Sequence, residues 1–116
     1  MSKPRKEEKD DIEYIKHIIN AIQLIKQYTK DLQKDEFTKN NEKQDAVIRE
    51  LAVIGEASKN ISDSFKVKNN FIEWKKLAGV RDIVVHQYFN IDLDIIWDII
   101  KYDLPELKKK LETIKN

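Results

Sequence analysis

Arg81, Asp82, His86 and Tyr88 fall within one short stretch whose other members are mostly apolar. A permanent planar cation suits a phosphoryl oxygen, and an imidazole with an ordinary pKa of about 6.5 exchanges protons near neutrality. Together they are the side chains that a phosphate-handling site needs. The chain carries two histidines in 116 residues, and the competing reading is a core histidine satisfied by a neighbour. Helix geometry constrains the first reading. At about 100° per residue, positions 81 and 88 share a helix face, whereas position 86 stands about 140° from position 81. One regular helix therefore does not bring Arg81 and His86 together. Either a bulge or frayed end intervenes, or a second copy of the same helix supplies the missing half. Asp82, one turn before His86, can orient the imidazole, pair with Arg49 or Arg81, or only stabilise the helix.

Other chemistries find little support. There is no cysteine, so thiolate nucleophiles, disulfides and zinc ribbons are excluded. No glycine-rich phosphate loop or serine elbow is present. Asp82 and His86 have metal-ligand spacing, as do Asp94 and Asp98. Two ligands per helix without a second histidine make a poor transition-metal set, and acids at a helix start are explained by the macrodipole. No metal and no cofactor are expected.

The elements that must position these residues are helices. Two glycines and two prolines, with apolar residues recurring every three or four positions, predict an all-α domain. A first helix is expected over about Lys9 to Leu32, with Ile12, Ile15, Ile19, Ile22 and Ile25 on one stripe. A polar break from Gln33 to Gln44 holds Phe37 as an anchor. The second helix, about Glu42 to Ser62, buries Val47, Leu51, Ile54, Ser58 and Ile61. Gly55 in its middle costs roughly 1 kcal/mol against alanine, which points to close approach by another helix. A connector, Lys66 to Asn70, leads to a helical turn with Trp74 and Leu77. Gly79 permits a bend before a motif helix from Val80 to Tyr88, with Asn90 as an end signal.

The last helix, Asp92 to Ile114, can be capped by Asp92 or Asp94 and should be kinked or divided by Pro105. Leu93, Ile96, Ile100 and Leu104 form one stripe, and Ile95, Trp97 and Ile99 widen it. The excess is either a homodimer surface or, for Trp97, core filling. The resulting architecture is an up-and-down four-helix bundle, with room for a short extra helix and with a kinked last helix. Residues 1–8 are expected to be a flexible segment and residues 9–116 one domain. With 37% charged residues, 41% hydrophobic residues and a net charge of +1, the chain lacks the bulk positive field of a nucleic-acid coating protein. Any RNA contact must be local. No apolar run approaches a membrane span and no signal-peptide pattern is present, so a soluble, cytoplasmic protein is expected.

The segments Asp45 to Ala57, Trp74 to Tyr88 and Asp92 to Leu111 resemble the HEPN superfamily, in particular its HepT type, the toxin subunit of HepT/MntA toxin–antitoxin pairs. The most specific element is R-x4-H-x-Y, filled by Arg81, His86 and Tyr88, followed by Phe89 to Trp97 and Asp103 to Leu107 in the same order. The resemblance implies a metal-independent endoribonuclease whose cleft is shared by two copies, with Arg81 holding the scissile phosphate and His86 as general acid or base. It implies that Tyr88, otherwise an ordinary buried tyrosine, accepts adenylate from an MntA-type nucleotidyltransferase antitoxin in a type VII-like system, with a higher hetro-oligomer as one assembly. Glu56 matches an acidic position of the pattern and either faces the cleft or is merely solvent-exposed. A different class of function is also open: a noncatalytic helical adaptor, or nucleotide-binding subunit, for a nucleotidyltransferase.

Overall fold

The computed structural model describes the backbone of residues 6–86 and 92–114, and the side chains of residues 9–82 and 92–114. Tyr88 and the expected end signal Asn90 lie outside the described residues. The helices are α1 (Lys6–Thr29), α2 (Lys34–Thr38), α3 (Asn41–Asn60), α4 (Asp63–Lys68), α5 (Trp74–His86), α6 (Leu93–Asp98) and α7 (Leu104–Glu112), the last two joined by a π turn, Ile99–Asp103. No strand occurs among the described residues.

In α1, Ile15, Ile22 and Ile25 are buried together with Ile18 and Ala21, while Ile12 and Ile19 sit at the margin. The helix begins at Lys6 and stops at Thr29, short of Leu32. The buried Thr29 hydroxyl donates to the Ile25 carbonyl at 2.8 Å, a local bond that competes with regular propagation. The polar break then forms α2, whose Gln33 N–H donates to Glu36 Oε1 at 2.9 Å. Its purpose is Phe37, which is fully buried with its ring 5.3 Å from that of Trp97. Burying a phenylalanine is worth roughly 2–3 kcal/mol, enough to hold a five-residue helix. Trp97 therefore fills the core, and of the widened stripe it is Ile95 that remains exposed.

Asn40 caps α3 by accepting from the Lys43 N–H at 3.0 Å, and Val47, Leu51, Ile54, Ser58 and Ile61 are buried as their spacing predicts. The expected connector is in part helical: α4 starts at Asp63 because Ser62 Oγ accepts from the Phe65 N–H. Ser62 is itself tied to α1. Its N–H and hydroxyl donate to the two carboxylate oxygens of Asp11 at 2.8 and 2.6 Å. Gly79 does not mark a bend, since α5 runs as one helix from Trp74. Asp92, not Asp94, caps α6 by accepting from the Asp94 and Ile95 N–H groups. Pro105 divides the last helix by way of the π turn. There the Leu104 N–H reaches back to the Ile99 carbonyl, one residue farther than in an α-helix, which accommodates a ring that would clash in a regular turn.

Four long elements close a ring around the core. α1 packs on α3, α3 on α5 and α7 on α1, and α5 and α7 line a common cleft through Leu77, Val80, Leu104 and Leu107. The ring places the α3–α5 seam and the α1–α7 seam on opposite sides of the bundle.

Candidate active site

Arg81 sits on α5 where that helix crosses α3, and the crossing depends on Gly55. A Cβ at position 55 would overlap the Arg81 Cβ and lie 2.8 Å from the Arg81 nitrogen and 2.9 Å from its Cα. Only a residue without a side chain permits this approach, as its place in mid-helix suggests. The next residue of α3 then lies directly against Arg81. Glu56 Oε2 is 2.7 Å from Arg81 Nε, so the carboxylate engages the Nε edge of the guanidinium. Beside this pair, Asp82 Oδ1 is 3.4 Å from Lys59 Nζ.

Both pairs are too open to contribute much stability. The Arg81 and Glu56 side chains retain 35% and 57% of their exposure, and such ion pairs are worth about 0–1 kcal/mol. Their effect is orientation. An arginine side chain held at its stem by Gly55 and at its Nε edge by Glu56 loses rotamer freedom, and the guanidinium fork oriented in this way suits a phosphoryl anion. Glu56 is thus exposed and also in contact with Arg81, whereas Asp82 pairs with Lys59. Lys59 is the residue that sequence reasoning overlooked. A trace was present in the acid and base three apart on α3, complementary to the Arg81-Asp82 dipeptide.

The backbone of α5 stays α-helical through His86, so no bulge separates Arg81 from His86. The His86 side chain and Tyr88 lie outside what is described. His17, the other histidine, is exposed on α1, with its ring 6.5 Å from that of Tyr14. Among the described residues no group of three or more histidine, aspartate or glutamate side chains converges to hold a metal ion. Asp94 is instead 2.9 Å from Lys34, whose pKa is raised above the ordinary 10.5 by a hydrogen bond to Asp94 and by its charge. Among the described residues no helix is long and apolar enough to cross a membrane.

Comparison with known proteins supplies the context for this geometry. The chain is 40% identical over 103 residues to a Thermococcus cleftensis protein named probable ribonuclease HepT, covering 89% of this chain and 94% of that one. It is 29% identical, over 127 aligned positions, to the mRNA nuclease HepT of Shewanella oneidensis, covering 84% and 96%. A Methanocaldococcus jannaschii protein named gamma-glutamylcyclotransferase and putative RNase is 45% identical over 98 residues, 84% of this chain. The chain spans 44% of that relative's length. No solved structure matches significantly. The family described as ribonuclease HepT-like matches residues 18–114, and the chain belongs to that family.

Proposed function

We propose that this protein is a metal-independent endoribonuclease whose active site is shared by two copies, Arg81 of one meeting His86 of the other. The observation that carries the reading is the fixed Arg81 on an unbroken helix. Gly55 and Glu56 hold its guanidinium at the α3–α5 seam, and regular α geometry up to His86 leaves the two motif positions about 140° apart. A two-fold pairing of α5 supplies both faces at once.

In this reaction His86 takes the proton of a ribose 2′-hydroxyl, and the oxygen attacks the adjacent phosphorus. The 2′-O–P bond forms as the P–O5′ bond breaks, and the departing 5′-oxygen receives a proton from a second acid, for which the partner copy's equivalent histidine is available. A positioned acid or base contributes about 10²- to 10⁴-fold. Arg81 neutralises the charge that builds on the phosphoryl oxygens of the five-coordinate transition state. The products are a 2′,3′-cyclic phosphate and a 5′-hydroxyl.

The same reading makes the protein the toxin of a toxin–antitoxin pair, silenced by adenylylation of Tyr88. In a helical continuation Tyr88 would share the face of Arg81, so added phosphate and adenosine would occupy the cation and obstruct RNA. The test is purified protein with RNA in EDTA, alongside Arg81→Ala and His86→Ala. Cleavage by the wild type, its loss in both variants with unchanged helicity, and a dimer in sedimentation are expected. Activity that needs magnesium, or a monomer with full activity, would overturn the mechanism. Growth arrest on expression without a nucleotidyltransferase partner tests the toxin assignment.

A further inference from the structure

We infer that the groove between α1 and α7 is a second RNA-binding surface, which grips the phosphate backbone on the side of the bundle away from Arg81. The inference rests on the ribonuclease reading above and concerns where the affinity for RNA resides. The groove has a volume of about 410 Å³ and an apolar floor that includes Ile22, Ile100 and Pro105. Its lining includes Lys26, Lys30, Lys101, Lys108 and Lys109 against one acid, Glu112. That is an excess of four positive charges in a chain whose total is +1.

The lysines are available. Among the described residues none of the five takes part in a salt bridge, and Lys101 lies over the Trp97 ring at 4.8 Å. The α3–α5 side differs. There, among the described residues, Arg81 is matched by Glu56 and Lys59 by Asp82. A locally neutralised active site gives little long-range attraction to a polyanion, whereas unpaired lysines release counterions when phosphates replace them. Lys26 and Lys30 stand four residues apart on α1, about 5–6 Å between Cβ atoms, comparable to the spacing of successive phosphates along a strand. Lys101, Lys108 and Lys109 form the facing wall. Charge without aromatic stacking partners in the groove fits binding through the backbone, independent of base identity.

The experiment measures binding and not cleavage, using a 2′-O-methylated RNA oligonucleotide that cannot undergo 2′-hydroxyl attack. Fluorescence anisotropy across a salt series gives the slope of log K against log salt for the wild type. It is repeated for Lys26→Gln/Lys30→Gln/Lys108→Gln/Lys109→Gln and for a control of equal charge change, Lys16→Gln/Lys39→Gln/Lys66→Gln/Lys68→Gln, with circular dichroism confirming each fold. The groove variant should lose about 0.7 of slope per lost single-strand phosphate contact, hence roughly 3 in all, with the control close to wild type. The four arginine replacements at the groove positions should retain the slope. An unchanged slope in the groove variant, or an equal fall in both glutamine variants, overturns the inference while leaving the nuclease reading intact. Failure of the wild type to bind any RNA overturns both. A change of oligomeric state confined to the groove variant assigns the surface to contact between copies and overturns RNA binding there.

Discussion

The two glycines of this chain should respond oppositely to the same substitution, because one is a contact point and the other is not. Both lie inside helices and neither has positive φ, so alanine at either position gains up to about 1 kcal/mol of helix propensity. At Gly79 nothing lies within 4 Å of an added Cβ, and the gain should appear undiminished. At Gly55 the new carbon would stand 2.8 and 2.9 Å from backbone atoms of Arg81, which no rotamer change can move. Carbon atoms pack best at about 3.5–4.0 Å, so α5 must retreat by roughly 1 Å. Overpacking of this kind costs about 1–3 kcal/mol, which meets or exceeds the propensity gain and leaves a net loss of up to about 2 kcal/mol. Urea unfolding should show Gly55→Ala with a lower midpoint and Gly79→Ala with a higher one. In thermal melts each kcal/mol corresponds to about 4 °C. RNA cleavage should fall in Gly55→Ala, because the retreat separates Arg81 from Glu56. A Gly55→Ala protein as stable and active as wild type would refute the account of the α3–α5 crossing. A destabilised Gly79→Ala would show that its side of α5 is not open.

Glu56→Gln removes the charge that holds the Nε edge of Arg81 but leaves its shape, so kcat should fall about tenfold with stability within about 0.5 kcal/mol of wild type; an unaltered kcat would make the pair incidental. Tyr88→Phe should cleave RNA normally yet resist a nucleotidyltransferase with ATP, with intact mass showing adenylate on wild type alone. Modification mapped to Tyr14, Tyr28 or Tyr102 would refute the assignment. Asp11, only 2% exposed, accepts both the N–H and the hydroxyl of Ser62, so Asp11→Ala should lose about 3 kcal/mol in urea unfolding. A loss below about 1 kcal/mol would show that α4 does not depend on this tie. NMR titration of Lys34 should give a pKa above the ordinary 10.5 that returns toward it in Asp94→Asn. The sign follows from the raised value: the pair's contribution is present below the unfolded pKa and is lost as pH rises through the folded one.

Local physics is written in local sequence, and that is where reading the chain succeeded. Apolar residues at three- and four-residue spacing identify α1 and α3 and their buried stripes, because a helix face is a periodic property of consecutive residues. The bond from Asp92 to the N–H groups two and three residues later is local too, as is the arithmetic that keeps positions 81 and 86 off a common face. Gly55 could be flagged as a point of close approach because a mid-helix glycine carries a cost that something must offset. What approaches it, however, lies on α5, and no spacing in the sequence names Arg81.

The tertiary structure decided everything that depends on two distant segments meeting. Glu56 reads as a solvent-facing acid until α5 crosses α3 and brings Arg81 to 2.7 Å. Trp97 could have belonged to an interface, but Phe37, sixty residues earlier in sequence, meets its ring in the core. α4 exists where a loop was expected because Asp11 of α1 holds Ser62 in capping position. The lysine groove is likewise invisible along the chain, since Lys26 and Lys30 belong to one helix and Lys101, Lys108 and Lys109 follow some seventy residues later. Net charge sums over the whole surface, whereas attraction for a polyanion depends on which charges the fold leaves side by side and unpaired.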